Sequence, residues 1–210
     1  MSQTTSNPIV TGAREHNSVA GFFGASSDRI EKAYFEEAYA LGVLIAREDH
    51  RLIFGGGNEG LMGACARGVL SEGGRPLGIA PRFFDEPGIL MKEDCDFVFT
   101  ETMSERKARM EADADGFIVL PGGIGTYEEF FEALTLKQLG QHHKPMALLN
   151  ILGYFDLFDS LLRKTAECGF MSDSVLGLYK LCASPSEALS YVAAPVCIPE
   201  HRSSLSSYSR

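Results

Sequence analysis

Three short stretches of this sequence combine residue types that can hold an anion and act on a bond beside it. One is Pro121-Gly122-Gly123-Ile124-Gly125-Thr126-Tyr127-Glu128-Glu129. Its glycines expose backbone N–H groups, Thr126 adds a hydroxyl, and the dipole of a following helix favours negative charge, so the turn is a seat for a monophosphate. Thr126-x-x-Glu129 also reads as a capping box, and spacing alone leaves a cap and a catalytic carboxylate both open. A second stretch is Gly55-Gly56-Gly57-Asn58-Glu59-Gly60-Leu61-Met62-Gly63. It too could cradle a phosphate on N–H groups, or it could be a tight strand-to-helix turn and nothing more. Gly55, Gly57 and Gly60 match G-x-G-x-x-G, but no acidic residue ends the next strand, which argues against a nicotinamide dinucleotide; no Lys-Ser/Thr follows, which argues against a Walker A loop. The third is Met103-Ser104-Glu105-Arg106-Lys107. Two cations near a helix start oppose the dipole, and an anionic ligand would explain them. The bland alternative is a solvated face with Glu105–Arg109 and Lys107–Glu111 pairs at i,i+4.

Short apolar runs alternate with amphipathic ones along the chain and must position these stretches. VAGFFGAS, RLIF, PLGIAP, DFVFTE, GFIVL, PMALLN and LYKLCA read as strands. Helices are predicted over 28–48, from Gly60 to about Ser71, and over 102–114, 126–139 and 154–167. A last short helix in SPSEALSYV takes Ser184 or Ser186 as its cap. The stripe Ile30, Tyr34, Ala38, Leu41 and Ile45 has helical spacing. Strands alternating with helices imply an α/β fold, a Rossmann-like doubly wound parallel sheet with helices on both faces. Ligands of such sheets bind beyond the carboxyl ends of the strands, where all three stretches fall. Residues 82–96 read as irregular. Residues 1–17 read as a loose arm, 18–195 as one domain and 196–210 as a tail.

The 210 residues suit a single domain with a sizeable core. A net charge of −9 disfavours a nucleic-acid partner. No apolar run reaches the roughly 18 residues of a membrane span, and no signal-peptide core opens the chain. Five cysteines without C-x-x-C spacing fit neither a disulfide framework nor a zinc site, and suggest a reducing cytoplasm and no bound metal.

Together, PGGIGTYEE, the upstream Met103-x-x-Arg106-Lys107 and the earlier GGGNEGLMG resemble the LOG family, the cytokinin riboside 5'-monophosphate phosphoribohydrolases, often labelled lysine decarboxylases. The resemblance spans about residues 18–190. It implies a dimeric Rossmann-like enzyme that cleaves AMP or N6-modified AMP to the base and ribose 5-phosphate without metal or organic cofactor. It places the catalytic pair on Arg106 and Glu129 and the phosphate loop on Gly122, Gly123, Ile124, Gly125 and Thr126. Ser26, Gly56, Gly57, Met103, Lys107, Glu128 and Thr135 are the further expected substrate contacts. Plant-type members carry a Pro-Arg-Glu stretch before the Met-x-x-Arg-Lys element; here the region reads DEPGILMKEDCDF, with Glu86 a candidate by rough distance. The leading alternative is a non-catalytic nucleotide carrier similar to molybdenum-cofactor carriers, which has no need of the Arg106–Glu129 pair. A pyridoxal-phosphate decarboxylase would need a Schiff-base lysine near the core, which the sequence does not offer.

On this reading the carboxylate of Glu129 faces the positive charge that develops on the sugar, with Arg106 fixing the substrate and Lys107 supporting the anion. Glu128 points about 100° away from Glu129 on the helix. His142 and His143 precede a strand at the wrong edge of the sheet.

Overall fold

The computed structural model describes residues 20–194, so the expected arm and tail lie outside the described residues. The chain alternates β1 (Ala20–Phe23), α1 (Lys32–Arg47), β2 (Ile53–Phe54), α2 (Gly60–Ser71), β3 (Leu77–Pro81), β4 (Asp96–Thr100), α3 (Met103–Asp113), β5 (Phe117–Val119), α4 (Ile124–Gln138), β6 (Met146–Leu149), α5 (Asp156–Glu167), β7 (Lys180–Cys182) and α6 (Pro185–Ala193). The seven strands form one parallel sheet in the order β4-β3-β2-β1-β5-β6-β7. The chain winds outward from β1 to β4, returns to the centre, and winds outward again from β5 to β7. The reversal between β1 and β5 is a topological switch point, and it opens a crevice at their carboxyl ends.

Doubly buried strands need apolar residues on both faces, and these strands divide theirs by alternation. Phe54, Ile118, Leu120, Ala147 and Leu149 pack with α1, α2 and α6. Ile53, Phe117, Val119, Met146 and Leu148 pack with α3, α4 and α5. Ala38, Leu41 and Ile45 of the α1 stripe are buried, with Ile30 and Tyr34 packed against the same core.

Three helix starts differ from the sequence reading. α1 begins at Lys32 because Asp28 lends its carboxylate to the Gly60 N–H at 2.8 Å. α5 begins at Asp156, preceded by Asn150, whose Oδ1 accepts from the Phe155 N–H at 2.7 Å. α4 begins at Ile124 with Gly123 at its N-cap and no side-chain cap, so of the two readings open for Thr126 and Glu129 the capping box does not form. Residues 82–84, expected to be irregular, make one short 3-10 turn.

Candidate active site

The crevice is a cleft of about 800 Å³. Gly24, Ala25 and Ser26 after β1 form one side, Gly55, Gly57, Asn58 and Glu59 after β2 another, and Met103 and Arg106 of α3 with Gly123, Ile124, Gly125, Thr126 and Glu129 complete it. Phe84, Pro87, Gly88, Ile89 and Leu90 also line it, from the loop after β3. That loop is stitched to the β2–α2 turn by backbone bonds, Asn58 N–H to Ile89 O at 2.9 Å and Met91 N–H to Gly56 O at 3.0 Å.

Besides the exposed Glu59, the charge lining the cleft is one largely buried pair. Arg106 Nη1 donates to Glu129 Oε1 at 2.5 Å, with the two side chains 8% and 12% exposed. Arg106 Nε donates to Ile79 O at 3.1 Å, so β3 fixes the guanidinium from behind. The geometry answers why a cation follows a helix start: Arg106 points inward to a carboxylate, and the expected i,i+4 surface pairs give way. Thr102 Oγ1 accepts the Glu105 N–H at 3.1 Å while Glu105 reaches back to accept the Glu101 N–H at 2.9 Å, so the threonine cap belongs to α3. Arg109 pairs with Asp113, and Lys107 with Glu128 and Glu132. Burial pushes the Glu129 carboxyl above its ordinary value, and the neighbouring Arg106 pulls it partly back.

Beside this pair the N-terminus of α4 is open. Among the described residues no protein acceptor takes the N–H groups of Ile124, Gly125 or Thr126. Orphan donors at a helix start are a ready anion site. A Cβ on Gly123 or Gly125 would meet no protein atom within 4 Å. Neither glycine has a positive φ, so neither backbone strain nor protein packing calls for one there. The turn itself is held from below, where Tyr154 Oη donates to Gly122 O at 2.7 Å.

A family model described as "Possible lysine decarboxylase" matches residues 62–192. A cytokinin riboside 5'-monophosphate phosphoribohydrolase of Rhodococcoides fascians is 37% identical over 179 residues, 85% of this chain and 90% of that one. The chain belongs to the LOG family. A further relative of the same printed activity, from Arabidopsis thaliana, is 37% identical over 73% of this chain and 71% of its own. The fold is also that of the molybdenum cofactor carrier protein of Chlamydomonas reinhardtii, at a TM-score of 0.64 and 22% identity over 83% of this chain and 95% of that one. Among the described residues no lysine lines the cleft, so its side chains do not fit the Schiff-base chemistry of a pyridoxal phosphate enzyme, whatever the family's description.

Of the positions expected from the LOG resemblance, Arg106, Glu129, Ser26, Gly57, Met103, Gly123, Ile124, Gly125 and Thr126 line the cleft. Five do not. Gly56 is buried, and a Cβ there would stand 2.6 Å from the Phe97 ring. Gly122 is buried against Thr126. Lys107 and Glu128 are bonded to each other, and Thr135 is exposed two turns further along α4. Glu86 is exposed on the loop beside the lining residues Phe84 and Pro87. Of the residues after β3 the sequence points only to Glu86; the lining Phe84, Ile89 and Leu90 carry no signal beyond their apolar character in a loop rich in charge. His142 is buried, its Nε2 2.8 Å from Ala133 O, and burial lowers its pKa to about 4, so it stays neutral and structural.

Proposed function

We propose that this protein hydrolyses the N-glycosidic bond of a purine nucleoside 5'-monophosphate, AMP or an N6-modified AMP, to the free base and ribose 5-phosphate. The observation that carries the reading is the buried Arg106–Glu129 pair one helical turn from the unfilled N–H groups of α4. The 5'-phosphate takes those N–H groups and the Thr126 hydroxyl, which leaves the sugar beside Glu129. The base extends toward Met62, Phe84, Ile89 and Leu90, an apolar wall that suits a purine face and an apolar N6 substituent. As the bond from C1' to the purine nitrogen breaks, its electron pair leaves with the base and positive charge grows on the sugar. The Glu129 carboxylate stabilises that charge and takes a proton from the water that adds to C1', while the base is protonated from solvent. Arg106 holds Glu129 in place and favours its ionised form against the burial that opposes it. Since burial still raises Glu129, the acid limb of activity lies above the ordinary carboxylate range.

Incubating the protein with AMP and with isopentenyl-AMP in EDTA, and separating products by chromatography, tests this directly. Free base and ribose 5-phosphate are expected from at least one. No base from either, with tight AMP binding by calorimetry, would leave the carrier reading instead. Glu129→Gln should bind AMP as the parent does and turn over about a thousandfold more slowly, an effect typical of losing one electrostatic stabiliser of a transition state.

Leu157 and Leu161 stand 84% and 59% exposed on α5, while Phe158 and Leu162 turn inward. That outer face supports a homodimer, as apolar side chains in sequence on one exposed helix face want cover. Light scattering should give twice the chain mass, and Leu157→Glu should shift it to the monomer. Cys65, Cys95 and Cys182 are buried free thiols, which suits work in the cytoplasm.

A further inference from the structure

Lys107 follows the cleft arginine directly, yet it turns away from the cleft. Its Nζ donates to Glu128 and, at 2.7 Å, to Glu132, and its side chain is 17% exposed. The clamp leaves little freedom for it to swing toward a ligand. The face it turns to borders a second, small cavity of about 20 Å³, lined by Lys107, Glu111, Glu129 and Glu132 with Phe23 and Phe117 at its base. Glu129 thus has cleft on one side and this chamber on the other. The chamber has room for about one water and enough polar walls to hold it.

We infer that Lys107 is a positioning residue for Glu129, supplying positive charge to that carboxylate from the side opposite the substrate and making no contact with the substrate's phosphate. The inference rests on the reading of Glu129 as the carboxylate that faces the sugar. Two cations therefore serve one buried acid, Arg106 by direct bond and Lys107 across the chamber. The charged groups around Glu129 are Arg106, Lys107 and Glu111 from α3 and Glu128 and Glu132 from α4; β1 and β5 contribute the apolar Phe23 and Phe117. Glu128 and Glu132 have Lys107 as their counter-charge, yet Glu128 still raises the Glu129 pKa by more than Lys107 lowers it, so removing Lys107 would leave that opposing charge uncompensated. The direction of the electrostatics agrees: Lys107 lowers the Glu129 pKa against the burial that raises it. Without Lys107 the acid should need a higher pH to ionise.

The test is the pH profile of base release from AMP by the full chain, comparing the parent with Lys107→Met. The expected result is an acid limb moved to higher pH with KM unchanged. Within that limb kcat should fall about tenfold, and the loss should vanish on the alkaline side, where the acid is ionised in both proteins. Lys107→Arg, which keeps the charge, should restore the parent profile. Should Lys107→Met fail to fold, Lys107→Gln against Lys107→Arg carries the same comparison, since glutamine can still bond a carboxylate without bringing charge. A raised KM at every pH with kcat intact would overturn the inference, because it would mark Lys107 as a phosphate contact. A profile superimposable on the parent's would overturn it as well. Failure of the underlying reading is separable, because then the parent itself releases no base.

Discussion

Two glycine-rich turns open onto the same cleft, and they use glycine for opposite reasons. In the turn before α2 the protein needs the glycines. Gly60 has φ +62°, and a Cβ on it would stand 2.2 Å from Ala25 O; one on Gly63 would stand 1.9 Å from Asn58 O. The first N–H groups of α2 are already taken, Gly60 by Asp28 Oδ1 and Leu61 by Ala25 O, both at 2.8 Å. In the turn before α4 the corresponding donors are unfilled and Gly123 and Gly125 have open space above them. A turn whose glycines are held by packing and whose leading helix donors are taken is the poorer seat for an anion, whereas a turn with spare donors and no packing demand is shaped for something else. The G-x-G-x-x-G match therefore marks the turn whose glycines the packing requires, and the proposed function assigns the phosphate to the other one.

Replacing one glycine in each turn should separate the two uses. Gly60→Ala should be the more damaging. Its Cβ would force backbone against backbone at a left-handed φ, and overpacking and strain together cost about 3–5 kcal/mol. For a chain of this length the melting temperature should fall by about 10 °C, and activity should fall with the folded fraction. A melting temperature unchanged in Gly60→Ala would erase the distinction between the turns.

Gly125→Ala should do the reverse. Gly125 lies in the first turn of α4, so alanine there gains about 0.5–1 kcal/mol of helix stability and meets no protein atom. The added methyl occupies space the ligand is meant to approach. Calorimetry should then show AMP binding weakened by about a hundredfold, roughly 2.7 kcal/mol, in a protein that melts no lower than the parent. If affinity is retained, the phosphate does not sit on this turn.

Much of this was legible in the residues because periodicity reports burial. The runs GFIVL and PMALL are apolar throughout, as doubly buried strands should be, and the alternation of strands with helices was enough to place three stretches at one edge of the sheet. The Arg106–Glu129 pair was legible only through the LOG resemblance, since the two residues lie on different helices 23 positions apart and no local spacing joins them. Local rules misplaced Lys107 and Glu105: i,i+4 pairing offered Glu111 and Arg109 as partners, but α4 brought Glu128 and Glu132 closer to one and the start of α3 claimed the other as a cap. The loop after β3 escaped for a different reason. It is attached by backbone hydrogen bonds to the Gly56–Asn58 segment, and backbone bonds leave no side-chain signature.

The smallest effect comes from applying the same contrast to two threonines. Thr102 and Thr126 each sit near a helix start that faces the cleft and each has a glutamate three residues on. Thr102 Oγ1 caps α3 through the Glu105 N–H, whereas Thr126 lies inside the first turn of α4, makes no cap bond and borders the cleft. Valine preserves the shape of threonine and removes only the hydroxyl. Thr102→Val should therefore cost about 1 kcal/mol of stability, the usual worth of an N-cap, and leave AMP turnover nearly unchanged. Thr126→Val should leave the melting temperature in place and weaken AMP binding by about tenfold, the worth of one hydrogen bond to a charged group. Equal stability losses in the two variants would make Thr126 a cap after all. The hydroxyl would then be taken by the helix, and the phosphate would have to be held on the backbone of the turn alone.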